Sequence, residues 1–328
     1  MARPILGENN PIFVENYKID ERPRGSNADR GFVAEEEGRS MDRNLNEPPP
    51  DLFKIRAIVP HFEATVADYK TSSAATRALL PSRLNVAYGD DPDEKLDLFF
   101  PEASAAAAPL PIHLFIHGGY WRAQSKDDYS YLADVIVGQG AIAAIADYSL
   151  MPGARMARLV DQVRRAAHWL GGHGPEFGGD PSAISASGHS AGGHLATYLC
   201  CRAPREPEVP DNPVRSILCV SGLYDLAPIA TSFLQAELQL TPQEIVQYSP
   251  CQAIARPDAA IRLVVGGRET RPFFEQAGRF AGRLSSLGLQ PRLVSVDDED
   301  HMTIVRSLGR LGSVCASHLV ETIAASRA

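Results

Sequence analysis

The chain has 328 residues, which is long enough for one large domain or two small ones with a sizeable core. Hydrophobic residues make up 44% of the chain and charged residues 22%, values that are ordinary for a globular protein. The formal charge of −8 argues against non-specific binding to nucleic acid or to an anionic membrane surface.

Cysteine usage and the N-terminal sequence indicate the compartment. The five cysteines are too few and too scattered for a disulfide framework, which favours a reducing environment. The first eight residues lack the apolar stretch of a signal peptide, and no apolar run approaches the length of a membrane span. We therefore expect a cytoplasmic protein without a membrane partner.

Residues 1–50 differ in composition from the rest of the chain. They are polar, include Glu35–Glu37, end in Pro48–Pro50 and show no sustained period, so they are interpreted as a separate N-terminal arm. The arm contains one apolar cluster, made of Ile12, Phe13, Val14 and Tyr17. We expect this cluster to pack near a cap over the site or across a homodimer interface, and so to narrow the choice of substrate. The alternative is a tail without function.

Residues 51–328 follow the pattern of an α/β domain. A helix is predicted over 52–80, and an antiparallel hairpin over 84–89 and 95–100, around a Gly-Asp-Asp-Pro-Asp turn. The remaining strands are predicted at 110–116, 141–147, 183–187, 215–220, 261–266 and 291–296. Helices are predicted at about 125–138, 155–171, 191–202, 271–286 and 303–326. This alternation predicts a mostly parallel sheet with helices on both faces, and the proline-rich stretch 226–258 that interrupts it predicts a small cap.

The stretch Gly188-His189-Ser190-Ala191-Gly192 has the form G-x-S-x-G, between a predicted strand and a predicted helix. In that setting the pattern is a nucleophile elbow, a sharp turn that holds the serine hydroxyl at the carboxyl end of a strand. Small flanking residues are needed because the backbone is tightly folded there. An accidental glycine-rich turn is the alternative, and the flanking elements favour the elbow with Ser190 as nucleophile.

A second glycine motif, His117-Gly118-Gly119-Tyr120-Trp121, follows the predicted strand 110–116. An H-G-G loop at this place in an α/β-hydrolase supplies backbone N–H groups to the oxyanion hole. The alternative is a Gly-Gly turn that precedes two core aromatic residues. Two motifs at strand ends in the expected order favour the catalytic interpretation.

A serine nucleophile needs a base, and the base needs an acid that orients it. His301 follows the last predicted strand, whereas His318 lies inside a predicted helix, so His301 is predicted to be the base. Glu269 follows the penultimate strand and is predicted to be the acid, with Asp225, after the preceding strand, as its rival. For Asp225 we prefer the role of a loop carboxylate that caps the next helix.

Metal and cofactor sites are not expected. The other histidines show no metal-ligand spacing, and the Gly-Gly pairs lack the G-x-G-x-x-G arrangement of a dinucleotide site. We therefore predict chemistry that needs neither a metal nor a cofactor.

The H-G-G-Y-W block, together with Gly188-His189-Ser190-Ala191-Gly192-Gly193-His194-Leu195-Ala196, resembles the kynurenine formamidases (arylformamidases), within the esterase/lipase group of α/β-hydrolases. Further similar stretches lie at 148–152, 161–163, 221–226, 249–250 and 267–276, so the resemblance covers roughly 61–325. The chain differs from the family pattern in two respects. Its first sixty residues are not part of the pattern, and it has Glu269 at the position of the acid, where Asp is commoner.

The resemblance implies an α/β-hydrolase fold and a metal-independent serine hydrolase with a Ser190–His301–Glu269 triad. It implies that Gly118, Gly119 and Ala191 supply the oxyanion N–H groups, and that Tyr120 and Trp121 line an aromatic-accepting pocket. The implied substrate is an aryl formamide such as N-formylkynurenine. The alternatives are a carboxylesterase or another aryl-amide hydrolase that acts on a small ester or amide, and, more remotely, a non-catalytic ligand-binding member of the fold.

Overall fold

A mixed sheet of nine strands organises the part of the chain that the computed structural model describes, which is residues 14–15, 51–102, 108–208 and 211–327. Its strands are β1 (Val14–Glu15), β2 (Ser82–Ala87), β3 (Lys95–Phe99), β4 (Leu110–Ile116), β5 (Ile142–Ala146), β6 (Gly179–His189), β8 (Val214–Val220), β10 (Ala260–Gly266) and β11 (Arg292–Val296). The short strands β7 (Cys201–Arg202) and β9 (Ile254–Ala255) form a separate antiparallel pair.

The strands are ordered β1-β11-β10-β8-β6-β4-β5-β3-β2 across the sheet. All neighbours from β1 to β5 pair in parallel, whereas β3 pairs antiparallel with both β5 and β2. The predicted hairpin is confirmed, and so is the mostly parallel sheet. Because helices cover both faces, the central strands are buried along most of their length, and every residue of β5 is apolar and buried.

The helices pack on this sheet through amphipathic faces. They are α1 (Ile55–Ile58), α2 (Phe62–Leu79), α3 (Ala133–Gly138), α4 (Met156–His173), α5 (Ala191–Thr197), α6 (Gln235–Leu238), α7 (Pro242–Gln247), α8 (Arg271–Ser286), α9 (Thr303–Leu308) and α10 (Val314–Ala325). In α8, for example, Phe273, Ala277, Phe280 and Leu284 are buried at helical spacing. None of the helices in the described ranges is long and apolar enough to cross a membrane.

Four predicted helices are shorter or divided. The one at about 125–138 begins with 3₁₀ turns at Lys126–Asp128 and Ser130–Leu132, and only α3 is α-helical. The helix over 52–80 is broken around Pro60, whose ring disfavours helical backbone in the residue before it. The helix expected to reach residue 202 ends at Thr197, because Cys201 and Arg202 pair with β9 instead. The helix over 303–326 is split into α9 and α10, and Ser313 is the N-cap of α10, where its hydroxyl accepts from the Ala316 N–H at 2.9 Å.

The predicted cap, residues 226–258, contains α6, α7, β9 and two 3₁₀ turns. The Arg155 guanidinium ties it to α4, because it forms an ion pair with Glu244 and donates to the Leu238 carbonyl at 3.2 Å. Of the predicted N-terminal arm, the structure describes only β1, which pairs with Leu293–Val294 at the edge of the sheet. The rest of residues 1–50 lies outside the described residues.

Candidate active site

The carboxyl ends of five parallel strands, β4, β6, β8, β10 and β11, meet at one edge of the sheet. Ile116 at the end of β4 is paired with Gly188, His189 near the end of β6 with Val220, and Gly266 at the end of β10 with Val296. The loops that follow these strands therefore emerge side by side. This edge is where open α/β sheets bind their ligands.

Ser190 lies on a strained turn between β6 and α5. Its backbone has φ 56° and ψ −117°, a conformation that residues other than glycine rarely adopt. The turn is tight on both sides, since a Cβ on Gly188 would lie 2.2 Å from the Gly192 carbonyl oxygen, and one on Gly192 would lie 2.0 Å from that of Ile116. Only glycine fits at either position, which is the physical reason for the G-x-S-x-G pattern.

A chain of hydrogen bonds joins the three residues predicted to act together. His301 Nε2 lies 3.0 Å from Ser190 Oγ, and His301 Nδ1 lies 2.7 Å from Glu269 Oε2. Since the carboxylate accepts from Nδ1–H, the tautomer leaves Nε2 free to take the serine proton. All three side chains are buried. The arrangement can activate a hydroxyl for attack on a carbonyl carbon.

Glu269 is held by donors other than the histidine. Its Oε1 accepts from the Ser221 hydroxyl and, at 2.8 Å, from the Gly266 N–H. One carboxylate oxygen is thus fixed by the ends of β8 and β10, and the other is left for His301.

The rival acid, Asp225, faces away from the histidine. Its Oδ2 accepts from Arg279 Nη1 at 2.6 Å, and its Oδ1 accepts from the Ala227 N–H at 3.0 Å. Asp225 is therefore a loop carboxylate that stabilises its own turn and pairs with α8.

The H-G-G loop lies directly against Ser190. A Cβ on Gly118 would be 3.4 Å from Ser190 Cβ, so the backbone of this loop borders the space above the hydroxyl. Gly119 has φ 100°, and its carbonyl accepts from the N–H groups of Arg122 and Ala123 at 3.1 Å each. Ala191 is the first residue of α5, where an N–H has no intrahelical partner. Gly118 and Ala191 are thus adjacent to Ser190, and Gly119 follows Gly118 in the same loop.

Tyr120 and Trp121 were both predicted to line the pocket, but their side chains have different surroundings in the structure. The Tyr120 hydroxyl donates to the Phe53 carbonyl at 2.8 Å, and its ring meets Phe233 of the cap edge-on at 6.5 Å. Trp121, by contrast, is fully buried, and its Nε1–H donates to His194 Nδ1 at 3.2 Å. The prediction that Trp121 lines an accessible pocket is wrong, because its ring packs in the core behind the loop.

A family model described as alpha/beta hydrolase fold matches residues 113–304, more than half of the chain. The chain belongs to the α/β-hydrolase fold family. The kynurenine formamidase of Danio rerio is 29% identical over 250 residues, covering 75% of this chain and 83% of the relative. Esterase LipC of Mycobacterium tuberculosis is 29% identical over 224 residues, covering 62% of this chain and 55% of the relative.

A solved structure has the same architecture. A candidate thioesterase from Silicibacter sp. tm1040 superposes with a TM-score of 0.72 at 26% identity, over 84% of this chain and 98% of the other. Together, the family match, the formamidase and esterase relatives and this fold show that the protein is a serine hydrolase of the α/β-hydrolase superfamily.

Two histidines of this hydrolase have supporting positions that sequence reasoning did not assign. His189 Nε2 lies 2.8 Å from the carbonyl oxygen of His301 and donates to it, so the residue beside the nucleophile also holds the backbone of the histidine. Burial lowers the pKa of His189 well below its usual range, so that its ring stays neutral. His194 accepts from Trp121 and donates to the Tyr248 carbonyl at 2.8 Å, which links the H-G-G loop to the cap.

The H-G-G loop of the hydrolase is braced by its own histidine. His117 Nδ1 donates to the Gly118 carbonyl at 2.8 Å, and the ring stacks on Tyr148 at 4.3 Å. The Tyr148 hydroxyl donates in turn to the His117 carbonyl at 3.0 Å.

Two further residues contact the candidate catalytic side chains. The Ser221 hydroxyl donates to Glu269, and the Phe273 ring lies 4.4 Å from that of His301. No local sequence motif indicates either residue.

Proposed function

We propose that this hydrolase cleaves an aryl formamide, with N-formylkynurenine as the leading example, through a Ser190–His301–Glu269 triad and an acyl-enzyme. The observation that carries the proposal is the chain of hydrogen bonds from Glu269 through His301 to Ser190. Similarity to the kynurenine formamidases of Danio rerio and Salmo salar supports a formamide as the substrate.

In the first half of the reaction Ser190 Oγ attacks the formyl carbon while His301 Nε2 takes the hydroxyl proton. Glu269 stabilises the imidazolium through Nδ1–H. The negative charge that develops on the carbonyl oxygen faces the N–H groups of Gly118, Gly119 and Ala191. His301 then gives its proton to the leaving nitrogen, the C–N bond breaks, and the free aryl amine departs.

The second half clears the formyl-serine. A water molecule loses a proton to His301 Nε2 and attacks the ester carbon, and the Ser190–carbon bond breaks with return of the proton to Oγ. Formate leaves. This scheme uses no metal and no cofactor.

A carboxylesterase activity is the second candidate, favoured by the similarity to esterase LipC. The same triad cleaves an ester by the same steps, with an alcohol in place of the amine. The two candidates differ in the acyl group, because a formyl group needs almost no space beside the oxyanion loop.

Ser190→Ala tests the proposed nucleophile. The change removes one hydroxyl, so the fold should persist while kcat falls by a factor on the order of 10⁴–10⁶. Labelling by a fluorophosphonate should occur in the unaltered protein and be absent from the variant. A folded variant that keeps more than about a tenth of the activity would refute the nucleophile, since loss of one triad member costs far more than that.

A substrate panel separates the two candidates. We expect N-formyl aryl amines to be turned over with a higher kcat/KM than p-nitrophenyl esters of graded acyl length. The reverse order would make the carboxylesterase the better assignment. Unaltered protein that neither turns over any substrate nor reacts with the fluorophosphonate would instead favour a ligand-binding role.

We also propose a cytoplasmic location. All five cysteines are free thiols and four of them are buried, as expected of a protein kept in a reducing compartment. Measuring the location of the tagged full-length chain by cell fractionation tests this.

A further inference from the structure

We propose that residues Asp51–Lys54, called the strap below, determine which leaving groups fit beside the reacting serine, with Asp51 and Phe53 as the specificity-determining residues. The proposal rests on the proposed function of Ser190 and His301.

The strap forms hydrogen bonds with three segments near the site: the loop after β10, the H-G-G loop and the cap. It does so through two backbone carbonyls and one carboxylate. The Leu52 carbonyl accepts from Thr270 Oγ1, next to the acid, at 2.9 Å. The Phe53 carbonyl accepts from the Tyr120 hydroxyl of the H-G-G loop at 2.8 Å. Asp51 Oδ2 accepts from the Phe233 N–H of the cap at 2.7 Å. Four consecutive residues therefore connect loops that are far apart in the sequence.

Asp51 is the centre of this connection. Its second oxygen, Oδ1, accepts from the Phe53 N–H at 3.0 Å, and its carbonyl accepts from the Lys54 N–H at 3.0 Å. The carboxylate thus shapes the turn of the strap and also ties it to the cap. Lys54 adds a further contact, since its Nζ lies 5.9 Å from the centre of the Phe233 ring.

Aromatic rings continue from the strap to the histidine. Phe53 is buried and meets Phe273 edge-on at 6.2 Å between ring centres, and Phe273 lies 4.4 Å from the His301 ring. Removing the Phe53 ring would leave a gap directly behind Phe273. Phe53 therefore limits how far the Phe273 and His301 rings can move away from a bound leaving group.

The chemistry identifies the part of the substrate that lies on this side. The leaving atom takes its proton from His301 Nε2, so the leaving group must sit beside the histidine. The acyl group is instead held by the oxyanion loop at Gly118. The strap should consequently discriminate between leaving groups and not between acyl groups.

The test compares two substrate series in the full-length protein. One series carries phenyl or naphthyl leaving groups on the same acyl group, formyl or acetyl, and the other carries acyl chains of graded length on one leaving group. Phe53→Ala should raise the naphthyl-to-phenyl ratio of kcat/KM by about tenfold, because a pocket that gains space accepts the larger group. The dependence on acyl length should stay as in the unaltered protein.

Asp51→Ala provides a second variant that leaves every ring in place. Because it frees the strap from the cap, it should shift the same ratio in the same direction, mainly through KM. Asp51→Asn keeps one acceptor oxygen and should fall between Asp51→Ala and the unaltered protein. Arg56→Ala is the matched control and should leave the ratio unchanged, since its exposed side chain forms its ion pair with Glu63, away from the strap's contacts.

Each outcome bears on the strap. If folded Phe53→Ala and Asp51→Ala keep the unaltered ratio while the unaltered protein is active and labelled by a fluorophosphonate, the strap proposal alone is wrong. A shift in the acyl series instead of the leaving-group series would also overturn it. If the unaltered protein shows neither turnover nor labelling, the proposed function fails and the strap fails with it.

Discussion

Glu269 and Asp225 follow neighbouring strands of the sheet, but only Glu269 has an oxygen within 2.7 Å of His301 Nδ1. The difference lies in the donors around each carboxylate. Ser221 and the Gly266 N–H hold one oxygen of Glu269 and turn the other to the histidine. Arg279 and the Ala227 N–H satisfy Asp225 within its own loop.

This difference predicts the outcome of two amide substitutions. In Glu269→Gln the Gly266 N–H retains the amide oxygen, so the NH₂ group faces His301 Nδ1. The histidine must then adopt the other tautomer, which cannot accept the serine proton, and kcat should fall by up to about 10⁴. Asp225→Asn should keep most of the activity. Steady-state kinetics on both variants, with circular dichroism as the check of folding, tests which carboxylate is the acid. An inactive but folded Asp225→Asn would mean that the acid is misassigned.

Asp147 is a half-buried carboxylate beneath the H-G-G loop. Its Oδ1 accepts from the Lys126 N–H at 2.6 Å and lies 3.5 Å from His117 Nε2. Burial raises the pKa of Asp147 to about 6, an effect that its contact with Lys126 only partly offsets. The folded protein therefore holds this proton more tightly than the unfolded chain does.

The raised pKa gives a pH dependence of stability with a definite sign. Below about pH 4 Asp147 is protonated in both the folded and the unfolded state, and it does not lower the free energy of unfolding. As the pH rises through about 6 the buried carboxyl ionises, and the free energy of unfolding falls. Asp147→Asn stays neutral, so between pH 4 and 7 its unfolding free energy should gain about 2–3 kcal/mol relative to the unaltered protein. Urea unfolding across this range measures the gain. Asp298→Asn, at an exposed ion pair with Arg268, controls for the loss of one charge, and equal pH profiles for the two variants would contradict the assignment.

At the scale of elements, the start of α5 packs directly on the end of β4. A Cβ on Gly192 would lie 2.0 Å from the Ile116 carbonyl oxygen and 2.5 Å from that of His117. Both neighbours are backbone atoms at the start of the H-G-G loop, so neither can turn aside as a side chain could. The two glycine motifs are therefore coupled through one close contact between a helix and a strand.

Gly192→Ala should disturb both motifs at once. We expect the unfolding free energy to fall by about 3 kcal/mol, in the manner of an overpacked core. In the folded fraction, kcat/KM should fall by about 10²-fold, because a small displacement of the oxyanion loop misplaces the reacting groups. Gly278→Ala is the matched control. Beyond its own turn of α8, a Cβ at Gly278 would have no atom of the described residues within 4 Å, and α8 should gain about 0.5–1 kcal/mol. Thermal unfolding with kinetics measures both, and an unimpaired Gly192→Ala would disprove the coupling.

At the scale of the whole molecule, the described part of the N-terminal arm lies at an edge of the sheet. Val14 and Glu15 pair in parallel with Leu293 and Val294, so β1 covers a strand that would otherwise present unpaired backbone groups. The strap, which begins at Asp51, follows the arm directly in the chain. The arm is thus connected at its C-terminal end to the residues that border the site.

Deletion of residues 1–50 tests the role of the arm. We expect a changed KM across the substrate panel or a changed oligomeric mass by light scattering, since the deletion exposes the edge of β11 and frees the start of the strap. The rate of fluorophosphonate labelling should stay the same, because the deletion removes none of the proposed triad residues. If both the kinetics and the mass stay unchanged, the arm is a tail without function in catalysis or assembly.

Local sequence patterns determined much of this protein. The alternation of apolar runs and amphipathic stretches predicted eight of the nine strands of the main sheet to within four residues, because strands covered on both faces are mostly apolar. The motifs around Gly118 and Ser190 were recognisable because close backbone packing admits only glycine at set positions. The order of serine, acid and histidine along the chain then pointed to Glu269 and His301.

Only the tertiary structure decided which side chains meet. The choice of Glu269 over Asp225 depends on Ser221 and on the Gly266 N–H, whose directions no local pattern encodes. Trp121 is in the core because its partner, His194, comes from a helix 73 residues later. The strap likewise contacts Tyr120, Phe233 and Thr270, which lie 67, 182 and 218 residues further along the chain than their partners in the strap. Periodicity records how a residue meets its neighbours in the chain, whereas these contacts arise when distant segments fold against each other.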